Sequence, residues 1–483
     1  MSKVTAELVS FQDTDLVFGV VAPTGTNRED FLRLLEAQLR VYRYDLQVIR
    51  LSDFLKLVEL PPGMAIDESS ESARLNTLMK AGSWLRNETG ADDILALMGI
   101  GDIRAHRGNC PGKRTAYVFW SLKHPDEISL LQQVYEAGFF VLGIYSSEED
   151  RKTYLVDRKG VDPLEAAERL DRDTDEKVEY GQRTRDAFQL ADVFIPAGQA
   201  GEEHLKRFLD LVFGRPEVTP TLAEHAMFLA YSGALRSRAL ARQVGAVVVS
   251  AHNEVLAIGA NDAPCFGGGQ YWPGKGDQSD IAKGVDANAV ERRRIAESVL
   301  DRLRKEGIVK ADDAAAAEGV VSALEASRVG EITEYGRDVH AEMEALLCCA
   351  RAGVSVRGAT LYTTTFPCHN CAKHLIGAGF TKVVFVEPYP KSKALDLHGD
   401  ALAMAGPSAG ERLQLEPFIG VGPRRYFDLF SLKLGQGGQR KRKEGEGLIP
   451  WNPADASPCV PLRPLSYLER EKAAQQLMKE IMK

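Results

Sequence analysis

Four residues in two short stretches have the types and spacing for metal chemistry. In TTTFPCHNCAKHL (363–375), Cys368 and Cys371 stand two residues apart, and upstream His340 and Glu342 stand on either side of one alanine. Two thiolates at that spacing share a metal ion or form a redox pair. Zinc takes four ligands in tetrahedral geometry, and His340, Cys368 and Cys371 supply three, which leaves a place for water and points to hydrolysis. Both stretches read as helix starts, whose N–H groups and dipole lower the cost of deprotonating the cysteines. Glu342 is placed to shuttle protons rather than to ligate. A closed structural site would need a fourth protein ligand, for which His369 and His374 are the local choices. That reading and the redox pair stay open on spacing alone. Cys348 and Cys349, in the middle of the helix after His340, read as core thiols.

These residues need a scaffold. Residues 1–215 alternate apolar strands with amphipathic helices, from DLVFGVVAP (15–23) through DLQVIRLSDF, DDILALMGIGDIRA, KRTAYVFWSL and GFFVLGIYSS to ADVFIPAG (191–198). The pattern predicts a parallel α/β domain. Its first turn, GVVAPTGTNRED, sits where a phosphate-binding loop would sit but lacks the G-x-x-x-x-G-K-[ST] pattern. Thr26 takes the place of the lysine and Asn27 that of the hydroxyl residue. Main-chain groups of Thr24, Gly25, Thr26 and Asn27 could still cradle a phosphate, or the segment is a plain scaffold turn. Residues 216–432 form a second unit, with the two metal-ligand stretches in it and an insertion at 262–335 that closes over a ligand, forms a regulatory site or serves as an interface loop. Residues 433–483 read as a linker and tail. The chain has 483 residues, a net charge of −8, 44% hydrophobic residues and seven cysteines. That composition suits a globular cytoplasmic protein with no disulfide framework, and speaks against coating nucleic acid through a basic surface. Residues 1–16 do not read as a signal peptide, and no apolar run approaches the roughly 20 residues of a membrane span.

The order H-x-E…P-C-x-x-C is the signature of zinc-dependent base deaminases, in which the glutamate is the general acid and base. Residues 220–432 resemble the cytidine and deoxycytidylate deaminase superfamily, whose fold is a mixed sheet between helices. QVGAVVV, AIGAND, VHAE and TLYTTTFPCHNC look like its deoxycytidylate branch. The resemblance implies Zn²⁺ as cofactor, a sugar-hydroxyl contact at Asn261, and reading of the base's amide edge by the main chain around Ala341 with the Pro367 turn. It makes Arg242 a phosphate contact, unless Arg242 is a surface helix arginine. Together with the kinase-like N-terminal unit, EYGQRTRDAFQLADVFI (179–195) and GVGPRRYFDLF (420–430) extend the resemblance to bacterial anti-phage dCTP deaminases. That family implies hydrolytic deamination of dCTP and dCMP to dUTP and dUMP, depleting the pool needed for phage DNA synthesis. It also implies a homo-oligomer, and a regulatory nucleotide or inhibitory RNA as partner. Two rivals are an editing deaminase of cytidine or adenosine in RNA or single-stranded DNA, and a zinc-stabilised nucleotide sensor without turnover.

Overall fold

The computed structural model describes residues 14–108, 114–174, 183–310, 314–388, 392–406, 409–436, 439–462 and 464–482. Most of the stretch tested for a leader, and the start of the 179–195 motif, lie outside them. The chain divides into two compact units, residues 1–224 with 419–483, and residues 225–418.

The first unit is built on five parallel strands: β1 (Leu16–Val21), β2 (Asp45–Arg50), β3 (Thr115–Trp120), β4 (Phe139–Tyr145) and β5 (Val193–Pro196), in the order β5-β4-β1-β3-β2. Every residue of β1 is buried, as its unbroken apolar run LVFGVV requires of a central strand covered on both faces. Helix α1 (Arg28–Val41) starts from Asn27, whose side chain accepts from Asp30 N at 3.3 Å. Helix α2 (Glu71–Thr89) starts from Ser70 and ends at Gly90, which takes φ +61°. DDILALMGIGDIRA, read in sequence among the strands, forms helix α3 (Ile94–Arg107). It is buried on most sides, so its apolar run has no helical period to give it away.

The C-terminal stretch departs from the linker reading. Gly420–Val421 pairs antiparallel with β5, and the indole nitrogen of Trp451 donates to Phe213 O at 3.2 Å. The terminal helix Pro464–Ile481 packs on α3, with Arg104 to Gln475 at 2.9 Å and Tyr135 Oη to Glu471 at 2.9 Å. Glu471 is wholly buried and also pairs with Arg107. The second unit therefore begins near residue 225, not 216, and ends at 418, not 432. Residues 419–462 and the terminal helix complete the first unit.

The second unit holds the mixed sheet β10-β11-β9-β8-β6-β7, made of β6 (Gly245–Val249), β7 (Val255–Ala260), β8 (Thr360–Thr365), β9 (Lys382–Glu387), β10 (Leu402–Met404) and β11 (Leu413–Pro417). Strand β6 runs antiparallel to β7 and β8, and the remaining pairs are parallel. Helices α4 (Ala341–Ala352) and α5 (His369–Ala378) each end at a glycine in the left-handed region, Gly353 and Gly379. The approach of β7 to α4 is close enough that a Cβ at Gly259 would lie 2.2 Å from Ala341 O. The insertion is mainly helical: Ala287–Lys305 and Ala314–Glu325 pack through Ala296, Leu300 and Val321. Its base is pinned by paired hydrogen bonds between Asp262 and Val339, of 3.2 and 2.9 Å. Among the described residues, no helix is long and apolar enough to cross a membrane.

Candidate metal centre

His340 occupies the N-cap of α4 and Cys368 the N-cap of α5, while Cys371 lies in the first turn of α5. The two helix starts bring the three side chains together as their spacing implied. His340 Nδ1 lies 3.4 Å from Cys368 Sγ and 3.3 Å from Cys371 Sγ, and the three donor atoms fall within 4.8 Å of one another. Zinc bonds of about 2.3 Å to sulfur and about 2.0 Å to nitrogen, at a tetrahedral angle, put N and S about 3.5 Å apart. The donor set fits zinc in chemistry and in spacing. His374 is exposed on α5, and His369 lines the neighbouring cavity. The cluster around His340 contains no fourth histidine, cysteine or carboxylate among the described residues.

The cluster's charges are coupled. Cys368 Sγ accepts from Cys371 N at 3.4 Å, and the Cys371 thiol and His340 further hold the Cys368 thiol down to about 4. The Cys368 contact pushes His340 up to about 9. The same contact, with burial, pushes Cys371 up, so one thiolate shares its site with one thiol. A dication between the sulfurs favours both as thiolates, because its own charge becomes the largest in the site. Glu342 is 4% exposed and stands 3.6 Å from Cys371 Sγ through Oε2. Burial raises its carboxyl above the ordinary range, as suits a group that both takes and gives protons.

His340, Ala341, Glu342 and Cys368 line a cavity of about 290 Å³, and Asn261 and Arg242 line it too. Asn261 carries structural work there: its Oδ1 accepts from Val244 N at 2.7 Å and its Nδ2 donates to Arg242 O at 2.8 Å. One N–H and one lone pair of its amide are left for a ligand. Arg242 is paired with Glu387, which ties its guanidinium down at the end of β9. Ala341 O faces Gly259, so only the first-turn N–H of Ala341 can serve the cavity. Pro367 is not in the cavity wall: it is buried, and its carbonyl accepts from Ser392 Oγ at 2.8 Å, while Phe366 and Cys368 on either side do line the cavity. The insertion contributes Asp280, Asp286, Asn288, Arg292, Glu331 and Thr333, so it walls the site. Asp338 and Arg337 also line it and were missed in the sequence. Two residues upstream of His340, Asp338 was the available signal; burial and then Asp280 raise its carboxyl to about 6.

In the first unit, Thr24, Gly25 and Thr26 line a separate cavity, but Asn27 does not. Asn27 is spent on capping α1, and Thr26 Oγ1 donates to Pro23 O at 2.7 Å. Gly25 takes φ +86° with the Arg151 carbonyl 2.9 Å from where a Cβ would sit, which explains the glycine.

His340, Cys368 and Cys371, the glutamate beside them and the mixed sheet are the features to set against known proteins. Residues 220–387, about a third of the chain, match the family described as "Cytidine and deoxycytidylate deaminase zinc-binding region". The chain is similar to deoxycytidylate deaminase of Enterobacteria phage T2, at 46% identity over 56 residues, 12% of this chain and 30% of the relative. It is similar to human deoxycytidylate deaminase at 26% identity over 163 residues, 34% of this chain and 63% of the relative. The chain thus spans less than two thirds of the length of these curated relatives. Among solved structures, dCMP deaminase from cyanophage S-TIM5, in complex with dCMP and dUMP, aligns with 42% of this chain and 99% of its own at 18% identity and a TM-score of 0.24.

Proposed function

We propose that the second unit deaminates free deoxycytidine nucleotides, dCTP and dCMP, to dUTP and dUMP. The observation that carries this is Glu342, buried in the wall of one cavity with His340 and Cys368 and 3.6 Å from Cys371 Sγ. His340, Cys368 and Cys371 would hold zinc, which when bound would supply Lewis acidity toward water. Glu342 takes one proton of the water that attacks C4 and delivers it to the ring nitrogen; it then takes the second proton, from the C4 hydroxyl, and passes it to the amino group, so that C4–N breaks and ammonia leaves as C4=O forms. The Ala341 N–H donates to the base. Asn261 offers its remaining amide capacity to the sugar while holding the segment that carries Arg242. Arg242, Arg292 and Arg337 are the arginines of the cavity wall, already bonded to Glu387, Gly330 O and Asp280, and a phosphate would compete for them.

A walled cavity of about 290 Å³ favours a mononucleotide over a polymer. The wider reading is a cytoplasmic homo-oligomer that depletes dCTP in defence against phage. Incubating the purified protein with dCTP, dCMP, the other free nucleotides, and RNA and single-stranded DNA oligonucleotides, with product identification, tests the reaction. Uridine-type products from dCTP or dCMP are expected. Turnover confined to oligonucleotides overturns the substrate, and zinc bound without turnover of any substrate overturns the activity.

A further inference from the structure

The cavity of the first unit, about 180 Å³, takes no part in the deamination chemistry. It lies at the carboxyl ends of parallel strands: Ala22–Thr26 follow β1, Leu51 and Ser52 follow β2, and Ser121 and Lys123 follow β3. The chain runs from β1 past β3 to β2, returns to β3 and then crosses β1 to β4, so its connections go to opposite sides of β1, and such a switch point is where open α/β sheets form a ligand crevice. Ser121 is held there at φ +69°, a conformation that costs a non-glycine residue about 1–3 kcal/mol and concentrates at binding sites.

The lining is basic at one set of residues and apolar at another. Arg28, Arg74, Arg86, Lys123 and Lys159 stand against Glu71 and Glu127 in the lining, and Lys159 is paired with Glu29 just outside it at 3.2 Å, so five cations less three carboxylates leave an excess of two positive charges. Both lining carboxylates are already engaged. Arg74 holds Glu71 with two bonds of 2.8 and 2.7 Å, and Arg86 Nη2 lies 3.2 Å from Glu127 Oε1. Glu127 Oε2 accepts from the backbone of Lys123 and His124.

Arg86 carries the argument. It is 2% exposed, its Nε donates to Asp92 O at 3.3 Å, and its Nη1 is buried in the cavity wall with no partner. A buried charged donor left unsatisfied costs at least about 1–3 kcal/mol, which an anion in the cavity would recover. Leu55, Leu75, Leu78, Met79, Leu95 and Trp120 supply the apolar lining. An anionic end and a flat apolar body are required of the same ligand.

We infer that this cavity binds a nucleoside monophosphate, with the phosphate on Arg86, Lys123 and Lys159 and the base among the leucines and Trp120. The size of the cavity and its charge excess suit a phosphate dianion better than a triphosphate. The site is not a phosphoryl-transfer centre, since Thr26 stands where a P-loop lysine would and spends its hydroxyl on Pro23 O. This inference is independent of the reaction assigned to the second unit.

Calorimetric titration of the full chain with AMP, GMP, UMP and dTMP, each beside its nucleoside and inorganic phosphate, tests it without using a cytosine nucleotide. At least one monophosphate is expected to bind tenfold or more tighter than both phosphate and its own nucleoside. Lys159→Gln, which removes the charge at a side chain 27% exposed, and Arg86→Lys, which keeps a cation beside Glu127 but removes Nη1, should each weaken that binding at least tenfold. Glu342→Gln should leave it unchanged. The inference is overturned by no heat with any monophosphate, by phosphate binding equally well, or by binding that responds to Glu342→Gln and ignores both N-terminal variants.

Discussion

Glu342 and Cys371 are 3.6 Å apart, yet the two residues should fail in different ways when replaced. Glu342→Gln preserves shape and packing but cannot carry a proton, so zinc content should be unchanged while the deamination rate falls. General acid and base work contributes about 10² to 10⁴ per step, and this residue serves more than one step. Loss of zinc from Glu342→Gln, seen by elemental analysis, would mark the carboxylate as structural. Cys368→Ala or Cys371→Ala should lose zinc and turnover together, because two remaining donors hold the ion poorly. Full zinc content in either variant would show that the ligand set is wrong. The meeting of His340, Cys368 and Cys371 was legible in the sequence, since they come in two local clusters and helix starts fix their direction. Pro367 and Asn27 were not, because their roles are set by partners that spacing does not reveal: Ser392 for the proline carbonyl and Asp30 N for the asparagine amide.

The position of α4 depends on a contact with no side chain in it. A Cβ added at Gly259 would lie 2.2 Å from Ala341 O and 2.5 Å from Ala345 N. Both are backbone atoms of a helix, so α4 would have to move as a body and take His340 and Glu342 with it. Gly259→Ala should therefore cost about 1–3 kcal/mol or more, and lower zinc occupancy as well. Gly319, within the insertion helix Ala314–Glu325, has nothing within 4 Å of its Cβ position. Gly319→Ala should be neutral or stabilise by about 0.5–1 kcal/mol, with zinc unaffected. Urea unfolding and metal analysis of the pair check both statements, and equal behaviour of the two variants would refute the close-packing account. At this scale the strand and helix alternation of both units was readable, because central strands show continuous apolar runs. Helix α3 was sorted among the strands for the same reason, being a helix buried on most sides. The insertion's part in walling the cavity depends on how its helices fold back, and the Asp262–Val339 pairing that closes its base joins residues too far apart in sequence for local pattern to show.

Over the whole molecule, the first unit is discontinuous, and its last helix is fastened by a buried network. Glu471 meets Arg107 and Tyr135, and Arg107 lies 3.8 Å from Asp15, which in turn accepts from Tyr467 Oη at 3.4 Å. Breaking a buried pair by removing one partner costs about 3–5 kcal/mol. The remaining Asp15 contact puts Glu471→Ala near the lower end, and thermal unfolding should show the first unit's transition destabilised. A variant as stable as the parent would mean that the terminal helix docks through its apolar contacts alone. The linker reading failed here because 464–481 is charged and weakly patterned, and its anchoring depends on residues more than 300 positions upstream. The same arrangement sets an order of events on the ribosome. Sheet β6–β11 and the cluster of His340, Cys368 and Cys371 are complete once residue 418 has emerged, whereas the first 224 residues wait for Gly420–Val421 and the terminal helix. At about 5–20 residues per second, the 259 residues between 224 and 483 take roughly 13–52 s to synthesise. During that interval the inserted unit can fold while its host still exposes the α3 surface that the terminal helix will cover, so the half that is made first is the last to be completed.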